Sequence, residues 1–202
     1  MRVIGITGGA GAGKSELLSF LEEKYGARVF EADKAGHKVM EPGTDAFLRI
    51  AGLFGKRILG QDGRIDRGAL GAVVFSDREK REALNEIIHP AVKAMALEEI
   101  AGAREEGRYP LFVIEAALLI EDHYEKICDE LWYVYADPKV RRERLRVSRG
   151  YSDEKVSAVF ASQLSDGEFR KHCRAVIDNS GPIEAAYEQI RQLLGCGPAK
   201  ED

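Results

Sequence analysis

Five short apolar segments, rich in β-branched and aromatic residues, alternate along this chain with longer stretches whose apolar residues recur at helical spacing. The apolar segments predict buried strands at Arg2–Thr7, Ala27–Glu31, Leu111–Glu115, Glu130–Tyr135 and Ala175–Ile177. Buried strands that alternate with helices are typical of a parallel sheet covered on both faces. The pattern therefore predicts an α/β fold with a five-stranded parallel sheet.

Two intervals between the predicted strands are too long for a simple crossover helix. The first, from Asp33 to about Pro110, shows helical patterns at Ala46–Gly55 and Asp66–Phe75 and a long one that we expect to start at Pro90, because proline is favoured in the first turn of a helix. The second, residues 138–172, is helical and basic at its front. We predict one domain over residues 1–202, with a core of 1–33, 110–137 and 173–195 and helical insertions at 34–109 and 138–172.

Composition narrows the class of protein. The chain has 202 residues, 45% hydrophobic and 32% charged, with a formal net charge of −4, which argues against a general nucleic-acid binder. Its three cysteines, Cys128, Cys173 and Cys196, are scattered, and we expect small buried thiols in a reduced, cytoplasmic protein.

No membrane or export segment is expected. The glycine-rich turn begins at Gly8 and leaves no room for a signal peptide before it. The longest apolar run, Leu111 to Ile120, is interrupted by Glu115 and is too short to span a bilayer. The tail GCGPAKED is expected to fray.

Residues Gly8–Ser15 satisfy the phosphate-binding pattern G-x-x-x-x-G-K-[ST], between an apolar strand and the amphipathic run SELLSFLEEKYG. Glycines let backbone N–H groups converge on phosphate oxygens, and the helix N-terminus adds partial positive charge. We expect Lys14 to reach the terminal phosphates of a nucleotide and the Ser15 hydroxyl to ligate Mg²⁺. A glycine-rich turn with an accidental lysine is the alternative, and the flanking strand and helix argue against it.

Two carboxylates follow predicted strands at the end of the sheet where ligands collect. Asp33 could take a proton from a hydroxyl nucleophile, or it could cap the next helix, and position alone does not separate the two roles. Glu115 could hold a Mg²⁺-bound water, or it could orient the loop. The chain has no Asn-Lys-x-Asp element of the kind that reads guanine in GTPases.

The segment PKVRRERLRVSRG carries six Lys and Arg residues between Lys139 and Arg149. On a helix, one face carries Arg141, Arg144 and Ser148, and the adjacent face carries Arg142, Arg146 and Arg149. A row of arginines after a strand suggests a lid that neutralises a transferring phosphate, with a solvated helix face as the alternative. In the first long interval His37, His89, Arg64 and Arg67 are either packed or capping residues or acceptor contacts.

The chain resembles the dephospho-coenzyme A kinase family of P-loop nucleotide kinases over nearly its whole length. The resemblance rests on GITGGAGAGKS, EADKAGHKVMEPG, FGKRILGQDGRIDRGALGAVVFSD, LNEIIHP, LLIE and VIDNSG. It implies a nucleotide-kinase sheet, a helical CoA-binding insertion and a mobile lid, and ATP-dependent phosphorylation of the ribose 3′-hydroxyl of dephospho-CoA with Mg²⁺. It implies no nucleic-acid, membrane or obligate protein partner.

The resemblance also implies roles for individual residues. Asp33 matches the proposed base, with Lys14 and Arg144 as further catalytic residues. The nucleotide-side positions are Gly9, Gly11, Ala12, Gly13, Lys14, Ser15, Glu16, Arg141, Asn179 and Gly181, the last two near adenine. The acceptor-side positions are Asp33, His37, Arg67, His89 and Leu118.

Several positions depart from the family pattern. Glu31 stands where the family has aspartate, Ala117 where it has proline, and Arg174 where it has an acid. In the lid, the departures are Arg141 for glutamine, Ser148 for arginine and Val159 for arginine, while Gln163 matches. Arg149 can replace the arginine missing at 148 only if the helix rotates or ends there, and Gly150 makes an end there plausible.

Two alternative functions are compatible with part of this sequence pattern. A P-loop kinase for another nucleotide-like hydroxyl would share Lys14, Ser15 and Asp33 without the long match between Asp33 and Pro110. A nucleotide-binding regulatory protein with decayed catalysis would explain the departures in the lid. The intact Lys14, Ser15 and Asp33 argue against such decay.

Overall fold

The computed structural model describes residues 1–75 and 77–195. It contains a five-stranded sheet in the order β2-β3-β1-β4-β5. The strands are β1 Arg2–Thr7, β2 Arg28–Glu31, β3 Leu111–Glu115, β4 Glu130–Tyr135 and β5 Ala175–Asp178. The central strand β1 pairs in parallel with β3 and β4, and β4 pairs in parallel with β5. The predicted α/β fold is confirmed, and β2 and β5 shift by one residue at one end.

The helices of the described residues are α1 Lys14–Tyr25, α2 Ala32–Val39, α3 Asp45–Phe54, α4 Arg67–Phe75, α5 Arg78–Glu106, α6 Pro138–Arg149, α7 Asp153–Ala161, α8 Asp166–His172 and α9 Ile183–Leu194. Short 3₁₀ turns cover Lys56–Ile58 and Tyr124–Lys126. Many ends carry side-chain caps, as at Thr44, which accepts the N–H of Phe47. In the described residues these helices fill both long intervals, apart from an isolated antiparallel bridge between Leu59 and Ile65.

The expected helix start at Pro90 is wrong. Helix α5 begins at Arg78 and contains Pro90 in its interior. Buried Leu84 and Ile87 before the proline and Val92 and Ala96 after it continue one apolar stripe. Proline removes one backbone hydrogen bond from a helix interior, and burial of the stripe on both sides offsets that loss.

Two compact units make up the described chain. One comprises residues 1–30 and the part from 102 onward, and the other comprises 31–101. The core of the first contains fully buried Ile4, Leu17, Trp132 and Ile177, which come from strands and from helix α1. Fully buried Ile50 and Ile58 contribute to the core of the second unit. The predicted borders of core, insertion and lid stay a prediction.

The structure describes two of the three cysteines that were expected to be buried, and it also bears on the expectation that no segment spans a membrane. Cys173 is buried, and burial raises its pKa to about 12, whereas Cys128 is half-buried. Cys196 and the tail expected to fray lie outside the described residues, apart from Gly195. Among the described residues, no helix is both long enough and apolar enough to cross a bilayer.

Candidate active site

The glycine-rich loop connects the end of β1 at Thr7 to the start of α1 at Lys14. Gly8, Gly11 and Gly13 have φ angles of 151°, 79° and 86°, which side-chain-bearing residues rarely adopt. A Cβ atom at Gly8 would collide with the Val134 carbonyl oxygen, and one at Gly13 would collide with the Asn179 side-chain amide. Glycine is therefore required for both backbone conformation and space, as a loop that wraps a phosphate demands.

Lys14 is held at the first turn of α1 by two oxygen atoms. Its Nζ donates to the Gly8 carbonyl oxygen at 2.8 Å and lies 3.4 Å from Glu115 Oε1. Both side chains are only 15% exposed, so the ion pair is partly shielded from water. Glu115 thus contacts the loop lysine, and its two predicted roles, holding a Mg²⁺-bound water and orienting the loop, stay predictions. Ser15 and Glu16 follow on the exposed side of the same turn.

Two arginines of α6 point to the loop, as the predicted helical face requires. Arg141 Nε donates to the Ala10 carbonyl oxygen at 2.9 Å, and Arg144 Nη1 donates to the Ala12 carbonyl oxygen at 3.3 Å. Ser148, one turn further on, donates to the Arg144 carbonyl oxygen at 2.6 Å. Burial lowers the pKa of the Arg141 guanidinium, which still stays protonated. The helix thus places two cations against the glycine-rich loop.

The other arginines of α6 have partners elsewhere. Arg142 lies 3.3 Å from the Asp153 carboxylate, and Arg146 lies 3.5 Å from Glu143. Arg149 is exposed and hydrogen-bonds Tyr151, which lowers the pKa of the Tyr151 hydroxyl. The helix ends at Gly150 in a left-handed conformation, so the helix end on which the Arg149 hypothesis depends is confirmed. The functional replacement itself stays a prediction.

Asn179 follows β5 and is fully buried. Its Nδ2 donates to the Ala12 carbonyl oxygen at 2.8 Å, and its backbone N–H donates to the Tyr135 carbonyl oxygen at 2.8 Å. A side chain with no exposed surface supports the loop from the protein interior, and its predicted proximity to adenine stays a prediction. Gly181 is exposed, and a Cβ atom there would meet no heavy atom within 4 Å.

The predicted acceptor-side residues are mostly exposed. Asp33 and His37 lie one turn apart on α2 and are both exposed, as is Arg67 at the start of α4. His89 is half-buried within α5. Leu118, in the turn after β3, is 41% exposed.

The alternative role of Asp33 as a helix cap is wrong. Helix α2 begins at Ala32, with Glu31 in the capping position, so Asp33 lies inside the first turn. Glu31 sits there because it is also the last residue of β2, and the chain passes directly from strand to helix.

Sequence reasoning assigned no role to Phe160 or Gln163. The Arg141 guanidinium lies over the Phe160 ring at 4.2 Å, and its Nη2 donates to Gln163 Oε1 at 2.6 Å. Neither residue stands out in composition, motif or periodicity. The match of Gln163 to the family pattern was the one signal that pointed to it.

The chain is similar in sequence and in structure to known proteins over nearly its whole length. The family model for dephospho-CoA kinase matches residues 2–185. A dephospho-CoA kinase of Symbiobacterium thermophilum is 38% identical over 199 residues, which is 98% of this chain and 82% of that protein. Among solved structures, TT1252 from Thermus thermophilus has a TM-score of 0.81 at 31% identity, with 96% of each chain covered.

A solved dephospho-CoA kinase from Campylobacter jejuni has the same fold. Its TM-score is 0.70 at 24% identity, and 96% of each chain is covered. Dephospho-CoA kinases phosphorylate dephospho-CoA with ATP in the final step of coenzyme A biosynthesis. The match over nearly the full length, together with the glycine-rich loop, shows that this chain belongs to the dephospho-CoA kinase family.

Proposed function

We propose that this chain transfers the γ-phosphoryl group of ATP to the ribose 3′-hydroxyl of dephospho-CoA, giving coenzyme A and ADP. The observation that carries the proposal is the Gly8–Ser15 loop, with Lys14 held at the start of α1, in a chain that the family model matches over residues 2–185. Phosphoryl transfer demands positioning and neutralisation of charge more than covalent chemistry from the protein.

The donor side of the proposed site consists of the loop and the cations around it. Backbone N–H groups and the N-terminus of α1 would bind phosphate oxygens, with Lys14 on the terminal phosphates. Arg144 and Arg141 would place positive charge where negative charge develops on the transferring phosphoryl group. The proposed nucleotide-binding residues are Gly9, Gly11, Ala12, Gly13, Lys14, Ser15, Glu16, Arg141, Asn179 and Gly181.

We propose Ser15 as a ligand of Mg²⁺ and Glu115 as the acceptor of a metal-bound water. A hydroxyl and a carboxylate are oxygen donors of the kind that Mg²⁺ prefers, so this donor set fits the ion. When bound, Mg²⁺ supplies charge neutralisation on the phosphate oxygens. Glu115 has a second task in this proposal, because it also faces the ammonium of Lys14 at 3.4 Å.

On the acceptor side, we propose that Asp33 accepts the proton of the 3′-hydroxyl as the phosphoryl group is transferred. A carboxylate in the first turn of α2 is also stabilised by the partial positive charge of the helix N-terminus. His37, Arg67, His89 and Leu118 are the proposed contacts to the rest of dephospho-CoA. The proposal keeps the cytoplasmic location and the absence of nucleic-acid, membrane and obligate protein partners that the sequence predicts.

A coupled ADP-release assay with dephospho-CoA, adenosine and AMP as separate acceptors tests the proposal. We expect turnover with dephospho-CoA and at most a few per cent of that rate with the other two acceptors. Turnover with adenosine or AMP at a comparable rate would point to a kinase for another nucleotide-like hydroxyl. ATP binding without turnover of any acceptor would point to a regulatory protein.

A further inference from the structure

The turn after α7 is joined to the glycine-rich loop by one side chain. Gln163 follows the end of α7 at Ala161, and its backbone N–H bonds the Phe160 carbonyl oxygen at 3.3 Å. Its side-chain Oε1 accepts the backbone N–H of Ala10 at 3.3 Å and Arg141 Nη2 at 2.6 Å. An amide oxygen has two lone pairs, so both of its acceptor sites are used.

These contacts close a ring around one residue of the loop, Ala10. The Ala10 N–H donates to Gln163, Gln163 accepts from Arg141, and Arg141 Nε donates to the Ala10 carbonyl oxygen at 2.9 Å. Both polar backbone groups of Ala10 are therefore fixed by side chains from the segment that follows β4. Ala10 lies between Gly9 and Gly11, where the backbone has little stiffness of its own.

The same ring fixes the position of the Arg141 guanidinium. It lies over Gly9 so closely that a Cβ atom there would collide with Nη2. The guanidinium carbon lies over the Phe160 ring, 4.2 Å from the ring centroid. Without the Gln163 oxygen, Nη2 loses its partner and the Ala10 N–H is left part-buried and unsatisfied, which costs more than the net value of a hydrogen bond.

We propose that Gln163 is a positioning residue for phosphoryl transfer, which acts by holding the Ala10 backbone and the Arg141 guanidinium in the arrangement that binds ATP. Its side-chain oxygen contacts the Ala10 N–H and the Arg141 guanidinium, and it acts through these two groups. Its effect is expected on ATP and not on the acceptor, because its contacts are with the loop and with a donor-side arginine. The role in turnover rests on the proposed function, but the effect on ATP affinity does not.

The experiment compares Gln163→Met, which keeps the length of the side chain and removes the acceptor, with Gln163→Glu, which keeps an acceptor oxygen. Gln192→Met is the matched control, because exposed Gln192 bonds Glu188 on the surface of α9. ATP affinity is measured by calorimetry on the full chain without acceptor, and KM for ATP and for dephospho-CoA by ADP release.

We expect Gln163→Met to raise Kd and KM for ATP about tenfold, with KM for dephospho-CoA within about twofold of wild type. Gln163→Glu should stay within about threefold, because its carboxylate can accept from both donors. In an Arg141→Met background, Gln163→Met should have at most half of its effect in free energy, since the two residues act together.

Three results would overturn the proposal: an ATP affinity of Gln163→Met equal to that of Gln192→Met, a Gln163→Glu variant as weak as Gln163→Met, or full additivity with Arg141→Met. If Gln163→Met does not fold, Gln163→Asn replaces it, because an amide one methylene shorter cannot reach both donors, and the same outcomes apply. Wild-type protein that binds ATP but does not phosphorylate dephospho-CoA would refute the proposed function and leave the ATP-affinity test intact.

Discussion

The residues predicted to bind ATP, on the donor side, and those predicted to bind dephospho-CoA, on the acceptor side, differ in how the structure holds them. Around the glycine-rich loop, Lys14, Arg141, Arg144 and Asn179 each donate to a loop carbonyl oxygen, and Lys14 also faces Glu115. In the unit of residues 31–101, Asp33, His37 and Arg67 are exposed. The donor side is thus built into the packing of its unit, whereas most acceptor-side residues lie on a surface.

This difference has a physical basis. A loop that binds phosphate through backbone N–H groups has to keep those groups aimed before the ligand arrives, and side chains on its carbonyl oxygens do this. A proton acceptor or a substrate contact needs access more than support. We therefore expect substitutions around the loop to change stability and ATP affinity together. Substitutions of the exposed acceptor-side residues should change turnover or KM for dephospho-CoA and leave stability near wild type.

The largest effect is expected on the acceptor side. Asp33→Asn should lower kcat by about 10²–10⁴-fold, because the amide cannot take the proton of the hydroxyl. ATP affinity and Tm should stay near wild type, since Asp33 is exposed on α2. Steady-state ADP release, calorimetry with ATP and thermal unfolding measure the three quantities. A near-wild-type rate would remove Asp33 as the base.

On the donor side, Gly13→Ala should weaken ATP binding by about thirtyfold or more and lower stability by about 2–3 kcal/mol. Gly13 has a φ of 86°, and the added methyl group would collide with the buried Asn179 amide. Gly102→Ala within α5 is the matched control, because its Cβ atom would meet no heavy atom within 4 Å; this change should be neutral or slightly stabilising. Urea unfolding and ATP calorimetry provide the readouts, and equal behaviour of the two variants would contradict the proposed tight fit at the loop.

Arg144→Ala should lower kcat at least tenfold, about 1.4 kcal/mol, through loss of a positive charge at the transferring group. It should also weaken ATP binding, because the contact with the Ala12 carbonyl oxygen is lost. The control is Arg146→Ala on the same helix, whose guanidinium pairs with exposed Glu143 and which should be silent. Comparable losses in both variants would show that the total charge of the helix matters, and not the face of the helix on which an arginine lies.

The smallest effect is expected for Arg149→Ala, about tenfold in kcat with Tm unchanged. Arg149 is the last residue of α6 and exposed, so its loss should not disturb packing. Tyr151→Phe is the companion variant, because it removes the hydroxyl that bonds Arg149 and leaves the arginine in place. A silent Arg149→Ala would end the idea that this residue replaces the arginine missing at Ser148.

Features that depend on residues close together in the chain could be predicted from the sequence. Sheet and loop follow from short-range patterns: apolar runs give the strands, and the spacing from Gly8 to Ser15 defines the phosphate-binding turn. The shared face of Arg141 and Arg144 follows from helical geometry alone. The helix start at Pro90 was predicted wrongly, because local propensity favours proline in the first turn of a helix, while burial of residues on both sides keeps α5 continuous.

The sequence by itself thus determined the fold class, the phosphate-binding loop, the carboxylates that follow the strands and the face of α6 whose arginines meet the loop. Only the tertiary structure decided which side chains stabilise the loop backbone: Gln163 on Ala10, across 153 residues, and Asn179 on Ala12, across 167. Contacts within a helix or turn leave a periodic trace in the sequence. A single hydrogen bond between distant segments leaves none, because its geometry exists only once the sheet has brought the two segments together.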